Sequence, residues 1–263
     1  MAKSSSGPDP GERSEQTAHG VDPDKLIEEL REAIKARDDF LAIATHELRN
    51  PLTPILLCVQ LIRAAEKSND HAKLIHEVDR LERQINHFLA RSNTLLEVAQ
   101  ITSGKSNLDP CKLNLSQLIS GIVTDYMPLV ARSGSELTAS IQNDVIAFVD
   151  RMAVSEIVEN LLSNAIKYGR GKPIEITLTA TSEKAQITVR DSGIGIDEKD
   201  KARIFERFER AAGGQFQSGF GIGLWLARNF AELMGGSITV FGEPCVGSLF
   251  TVTLPTEEGK IHE

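Results

Sequence analysis

The sequence has few cysteines, no long apolar run and no excess of basic charge. Cys58, Cys111 and Cys245 are widely spaced and form no CxxC pattern, which argues against a disulfide framework or a zinc site. No run of about 18 apolar residues and no apolar signal-peptide segment is present. We therefore expect a soluble, cytoplasmic protein with reduced thiols and no membrane segment in this chain.

The charge balance argues against nucleic acid as a partner. The chain carries 37 acidic and 29 basic residues, for a net charge of -8, whereas phosphate backbones are held by clustered Lys and Arg. A length of 263 residues allows one or two globular domains, and two fit the sequence better.

The composition changes along the chain and divides it into four parts. Residues 1–20 are rich in Ser, Gly, Pro and charge and predict a disordered tail, because they cannot bury enough apolar surface. Residues 21–105 show helical periodicity, and residues 106–256 show mixed helices and strands. Residues 257–263 form a second tail.

Two apolar stripes with coiled-coil spacing predict an antiparallel helical hairpin in the first domain. The polar segment KSND, residues 67–70, separates them. A hairpin alone exposes an apolar seam, so we expect a homodimer that covers it in a four-helix bundle. The stripes comprise Leu41, Ala44, Leu48, Leu52, Ile55, Val59 and Ile62, followed by Leu74, Val78, Leu81, Ile85, Phe88, Leu95 and Ala99.

The second domain predicts an α/β layer structure. We expect one sheet that is covered by helices on one face. Strands are predicted at 137–141, 147–149, 174–178, around 187–189, at 237–240 and at 249–254, and helices near 115–130, 151–168 and 223–234.

His46 lies on the first predicted helix, on the face away from the apolar stripe. Pro51 and Pro54 follow inside the same periodic pattern, where each removes an amide donor and should loosen or bend the helix. Glu47 can accept a proton from the imidazole, which makes the other ring nitrogen more nucleophilic. Asn50, one turn on, shares the face of His46 and could orient a water molecule.

The segment THELRNPLTPI, residues 45–55, resembles the H-box of the HisKA-type dimerisation and phosphotransfer domain of sensor histidine kinases. The match preserves the family order of His, Glu, Arg, Asn and Pro. The resemblance implies that His46 is the phosphoacceptor, that Glu47 is the base for autophosphorylation, and that Asn50 places water when a partner is dephosphorylated.

A second set of motifs lies in the α/β domain. Glu156, Asn160, Asn164 and Lys167 share one face of a predicted helix, opposite its apolar stripe. Asparagine is a poor helix-interior residue, so this face suggests metal and phosphate ligation. DSGIGI, residues 191–196, follows a strand, and GFGIG, residues 219–223, precedes an apolar helix whose amides would face an anion.

The order of these motifs, with IFERF at 204–208, resembles the N, G1, F and G2 boxes of the GHKL (Bergerat) ATP-binding fold. The closing strand GSLFTVTLP resembles that fold as well. By this resemblance residues 208–218 would form an ATP lid. The implied ligands are Asn164 and Asn160 for Mg²⁺, Lys167 for phosphate, Tyr168 for adenosine, Asp191 for the adenine amino group, and Gly193, Gly195, Gly219, Gly221, Gly223 and Leu224 around the nucleotide.

Asn160 occupies the place where GHKL enzymes that hydrolyse ATP carry an acidic residue. An amide is a poor base, so this residue permits phosphoryl transfer to an imidazole while discouraging hydrolysis. Glu209, Phe220 and Trp225 depart from the usual pattern around the lid. The protein is therefore predicted to be an α+β multidomain histidine kinase with a hairpin domain followed by a GHKL α/β sandwich.

The predicted reaction is ATP-dependent phosphorylation of His46, transfer to an aspartate of a response-regulator receiver domain, and dephosphorylation of that regulator. One alternative is a phosphotransfer or scaffold protein with a degenerate nucleotide site. Another is a GHKL ATPase or an anti-sigma-type serine kinase, although neither would carry the hairpin or the H-box. Serine/threonine kinase signatures are missing. Either a longer protein or a separate sensor protein would supply the signal.

Overall fold

The computed structural model describes residues 23–103, 108–209 and 221–256. By its packing the chain divides into two compact units, residues 1–88 and 89–263. The predicted tails, at 1–20 and 257–263, lie outside the described residues. The helices are α1 (Pro23–Arg49), α2 (Leu52–Lys67), α3 (His71–Thr102), α4 (Leu115–Arg132), α5 (Arg151–Gly169) and α6 (Gly223–Leu233). The strands are β1 (Cys111–Asn114), β2 (Leu137–Ile141), β3 (Ile146–Val149), β4 (Ile174–Ala180), β5 (Lys184–Asp191), β6 (Ser237–Glu243) and β7 (Gly247–Pro255).

The helical region is interrupted where the prolines predict it. α1 ends at Arg49, Asn50 and Pro51 form a turn, and α2 begins at Leu52. Pro51 lacks the amide that would bond the carbonyl of Glu47, and Pro54, in the first turn of α2, lacks the one for Asn50. The sequence predicts a loosened or bent helix after His46, and the structure has two separate helices there.

A five-stranded mixed sheet forms the centre of the second unit, in the order β2-β4-β5-β7-β6. β2 and β4 are parallel, and the other neighbours are antiparallel. Apolar residues alternate along the strands and are buried on one face, as in Ile174, Ile176 and Leu178 of β4. α4, α5 and α6 pack their apolar residues into the same core.

The expectation of a single sheet is wrong. β3, which includes the predicted strand 147–149, pairs with β1 in a separate two-stranded antiparallel sheet. β1 was not predicted, because its four residues show no clear alternation. Each strand of the short β1-β3 ribbon leads into a helix, β1 into α4 and β3 into α5. The side chains of Asn114 and Asp150 cap these helices by accepting hydrogen bonds from the amides of Gln117 and Ala153.

Candidate nucleotide-binding site

A cavity of about 260 Å³ lies in the second unit between α5, the loop after β5 and the start of α6. Nine of the eleven predicted nucleotide ligands line it. These are Asn160, Asn164, Lys167, Tyr168, Asp191, Gly195, Gly221, Gly223 and Leu224. Gly193 does not line the cavity, and Gly219 lies outside the described residues.

Asp191 ends β5 at the floor of the cavity and is 5% exposed. Its Oδ1 accepts the amide of Gly193 at 2.8 Å, and Ser248, its partner in β7, also donates to it. Burial raises the pKa of Asp191 above its ordinary value, although these hydrogen bonds and the charge of Lys172 favour the carboxylate. Asp191 is thus a fixed, desolvated acceptor for a ligand's hydrogen-bond donor.

The glycines after Asp191 let the backbone of this loop pack closely against neighbouring segments of the protein. A β-carbon on Gly193 would collide with the carbonyl of Tyr168 at the end of α5. Gly195 has φ +71°, and a β-carbon there would collide with the carbonyl of Glu243. The loop is therefore held between α5 and the β6-β7 turn, where Ile194 accepts the amide of Cys245 at 2.7 Å.

The start of α6 closes the opposite side of the cavity. Gly221 has φ +68°, and the amide of Phe208 donates to its carbonyl at 2.9 Å. A β-carbon on Gly223 would collide with Oδ1 of Asn160, so the glycine leaves room for that amide. Gly223 opens α6, whose first amides lack helical partners and favour an anion.

The polar face of α5 fits a magnesium–phosphate group. Nδ2 of Asn160 donates to the carbonyl of Glu156 at 2.9 Å, which leaves its Oδ1 as an acceptor beside Gly223. Among the described residues, no three His, Cys, Asp or Glu side chains form a metal cluster. Magnesium commonly uses few protein oxygens together with phosphate and water, so Asn160 and Asn164 suffice only when phosphate supplies further ligands.

Several cavity residues escaped sequence reasoning. Thr94 of α3 lies in the second unit and lines the cavity, as do Ser248 and Phe250 of β7. Ser248 and Phe250 alternate on β7, so the pairing of β7 with β5 would have identified them. Thr94 lies in the second predicted helix of the hairpin, and nothing in the sequence around it indicated a place at the nucleotide cavity.

The predicted catalytic residues lie in the first unit. The backbones of His46 and Glu47 are helical, in the last turn of α1, and their side chains lie outside what the structure describes. Asn50 occupies the turn between α1 and α2. His46 and Glu47 therefore lie directly before the helix break, and Asn50 lies within it.

Two family models match this chain. Residues 36–102 match the "His Kinase A (phospho-acceptor) domain", and residues 149–258 match the "Histidine kinase-, DNA gyrase B-, and HSP90-like ATPase" family. The first region contains His46, and the second contains the asparagine helix and both glycine loops. The chain belongs to the sensor histidine kinases of two-component systems.

Curated relatives carry the same class of name. The chain is 34% identical over 245 residues to the autoinducer 2 sensor kinase/phosphatase LuxQ of Vibrio vulnificus, covering 89% of this chain and 28% of LuxQ. It is 32% identical over 240 residues to the adaptive-response sensory kinase SasA of Parasynechococcus marenigrum, covering 90% of this chain and 61% of SasA. The chain therefore spans only part of these relatives.

Solved structures show the same fold. The histidine kinase AdeS of Acinetobacter baumannii matches with a TM-score of 0.63 at 17% identity, covering 81% of this chain and 98% of that one. Full-length ShkA in complex with AMPPNP matches with a TM-score of 0.61 at 22% identity, covering 85% and 47%. None of the helices within the described ranges is long and apolar enough to cross a membrane.

Proposed function

We propose that the chain binds MgATP in the cavity of the second unit and transfers its γ-phosphoryl group to His46. The observation that carries this proposal is the joint lining of one cavity by Asn160, Asn164, Lys167 and Asp191, in a chain with a matching phosphoacceptor domain. The ligand in the ShkA structure, AMPPNP, is an ATP analogue, which supports ATP as the ligand of this cavity.

Each wall of the cavity suits one part of the nucleotide. Buried Asp191 would accept a hydrogen bond from the adenine amino group, and Tyr168 would contact the adenosine. Lys167 of α5 and the first amides of α6 would neutralise phosphate charge. Mg²⁺, when bound through Asn164 and Asn160, would offset the charge that develops on the phosphates.

The transfer step requires a neutral imidazole. One ring nitrogen of His46 attacks the γ-phosphorus, the bond to the β–γ bridging oxygen breaks, and ADP leaves. The proton on the other ring nitrogen passes to Glu47, the neighbouring carboxylate. The helix break at Pro51 directly after these residues gives this segment freedom that an uninterrupted helix would lack.

The proposed partners are a second copy of the chain and a response-regulator receiver domain. The hairpin leaves Leu56 and Ile75 62% and 61% exposed, with Leu41, Leu52 and Val78 also exposed. A homodimeric four-helix bundle would cover them. An aspartate of the receiver domain would take the phosphoryl group from His46, and Asn50 would place water for dephosphorylation.

The domain division at residue 105 and the cytoplasmic location belong to the same proposal. The first is supported by the HisKA match, which ends at residue 102. The second is supported by three free cysteines.

Incubation with γ-labelled ATP tests the transfer. We expect label on the protein that is acid-labile and base-stable, that requires Mg²⁺, and that is lost in His46→Gln. His76→Gln, at an exposed histidine of α3, is the matched control and should keep the label. Label that persists in His46→Gln would refute the assignment.

A further inference from the structure

The only tryptophan of the chain, Trp225, lies in the first turn of α6 and is 7% exposed. The guanidinium carbon of Arg207 lies 4.3 Å from the centre of the indole ring, well within the range of a cation–π contact. Burial lowers the pKa of Arg207, but a guanidinium remains charged in proteins. The contact is therefore a partly desolvated cation on an aromatic face, where such contacts are strongest.

The segment that carries Arg207 forms one wall of the nucleotide cavity. Ile204 and Glu209 line it, and Phe205 packs edge-on against Phe250 at 6.4 Å between ring centres. The side chain of Arg207 is not part of the lining. It points instead to α6, so that any effect on the ligand must act through its neighbours.

Phe208, the next residue, adopts a left-handed backbone with φ +64°, which is unfavourable for a bulky side chain. In this conformation its amide reaches the carbonyl of Gly221. A β-carbon on Gly221 would lie 2.7 Å from the carbonyl oxygen of Glu209. The backbone at residues 208–209 and the backbone at Gly221 are therefore in close contact. Both Glu209 and Gly221 face the cavity.

We propose that Arg207 is a positioning residue for the nucleotide: its stack on Trp225 holds Phe208 in the conformation that joins residues 208–209 to Gly221 at the cavity wall. Two contacts tie the segment to α6. Arg228 of α6 also approaches the ring of Phe205, at 6.0 Å, but the Arg207 contact is shorter and lies next to Phe208. The inference rests on the proposed binding of ATP.

Calorimetric titration of the full chain with MgADP, together with steady-state autophosphorylation, tests this role. We expect Arg207→Ala to raise the Kd for MgADP and the KM for ATP about fivefold, in the range of cation–π energies, with kcat at saturating ATP nearly unchanged. Arg207→Lys keeps the charge but loses the planar stack. Its Kd for MgADP and its KM for ATP should therefore lie between those of wild type and Arg207→Ala. Emission of Trp225 should shift to longer wavelength in Arg207→Ala as water reaches the indole.

Arg132→Ala, at an exposed arginine in the last turn of α4, is the matched control and should leave all three measurements unchanged. If wild type fails to bind MgADP, the proposed function is wrong. If wild type binds and Arg207→Ala binds equally well, the positioning role is wrong even if its melting temperature falls. Should Arg207→Ala fail to fold, Arg207→Lys decides the question by the same criteria.

Discussion

Asp191 is buried at the proposed adenine site, so a change in its protonation should change the affinity for the nucleotide. Burial raises its pKa, so protonation on acidification begins at higher pH than for an ordinary aspartate. The carboxylate is the form that accepts an adenine amino group as a charged hydrogen bond. Affinity for the nucleotide should therefore depend on pH.

We predict that the affinity of wild type for MgADP falls as pH drops toward the raised pKa of Asp191. Asp191→Asn should bind about tenfold or more weakly at pH 7.5, because a charged hydrogen bond is lost, and its affinity should vary less with pH. Asp144→Asn, in an exposed turn with φ +55° that asparagine tolerates, is the control. Equal pH profiles for wild type and Asp191→Asn, measured by calorimetry, would contradict this role.

Glu97 of α3, in the second unit, is another carboxyl whose pKa is raised. Burial and the nearby charge of Glu156 raise its pKa to about 7. A raised pKa in the folded state means that folding favours the protonated form. The stabilising contribution is therefore complete below the ordinary carboxyl pKa and is lost as pH rises through about 7.

Glu97→Gln should consequently stabilise the protein at pH 8 and have little effect at pH 4.5. Because Glu97 is half-exposed, solvent screening reduces the expected gain to about 1 kcal/mol. Urea unfolding at both pH values, followed by far-UV circular dichroism, measures the difference. A gain of equal size at pH 4.5 and pH 8 would assign the effect to something other than ionisation.

At the scale of helices and strands, Pro51 separates α1 from α2 beside His46, the proposed phosphoacceptor. Pro51→Ala restores an amide that can bond the carbonyl of Glu47, so we predict more helix and about 1 kcal/mol greater stability of the hairpin. Autophosphorylation should slow, because the segment after His46 becomes continuous helix. Circular dichroism and the labelling rate measure the two effects.

Pro128→Ala provides the comparison, since Pro128 is an exposed proline inside α4. It should also add helix and stability while leaving the labelling rate unchanged. A Pro51→Ala protein that gains helix and labels as fast as wild type would show that the break has no part in the transfer.

Sequence periodicity predicted most elements, and sequence motifs predicted most of the cavity. Asn160 and Asn164 were predicted because asparagine is a poor helix-interior residue. Asp191 was predicted because it opens the glycine-rich segment DSGIGI after a strand. The four residues of β1 carried too short a pattern, and the separation of β1 and β3 from the main sheet depends on pairing between distant segments. Thr94 and Phe250 reach the cavity through tertiary packing that a local pattern does not contain.

On the scale of the whole molecule, the exposed apolar residues of the hairpin predict a dimer. Leu56→Glu combined with Ile75→Glu should convert the protein to a monomer in light scattering coupled to size exclusion, because two charges would enter a buried seam. Leu129→Glu, at a half-exposed leucine of α4, should leave the mass unchanged. A wild-type protein that is monomeric at micromolar concentration would contradict the predicted assembly.

Of the six histidines in the sequence, only His46 should receive the phosphoryl group of ATP. Mass spectrometry of peptides from the wild-type chain, prepared at neutral to basic pH after incubation with MgATP, locates the modification directly. We predict one phosphoryl group on His46 and none on His71 or His76. Phosphate on another residue, with His46 unmodified, would contradict it.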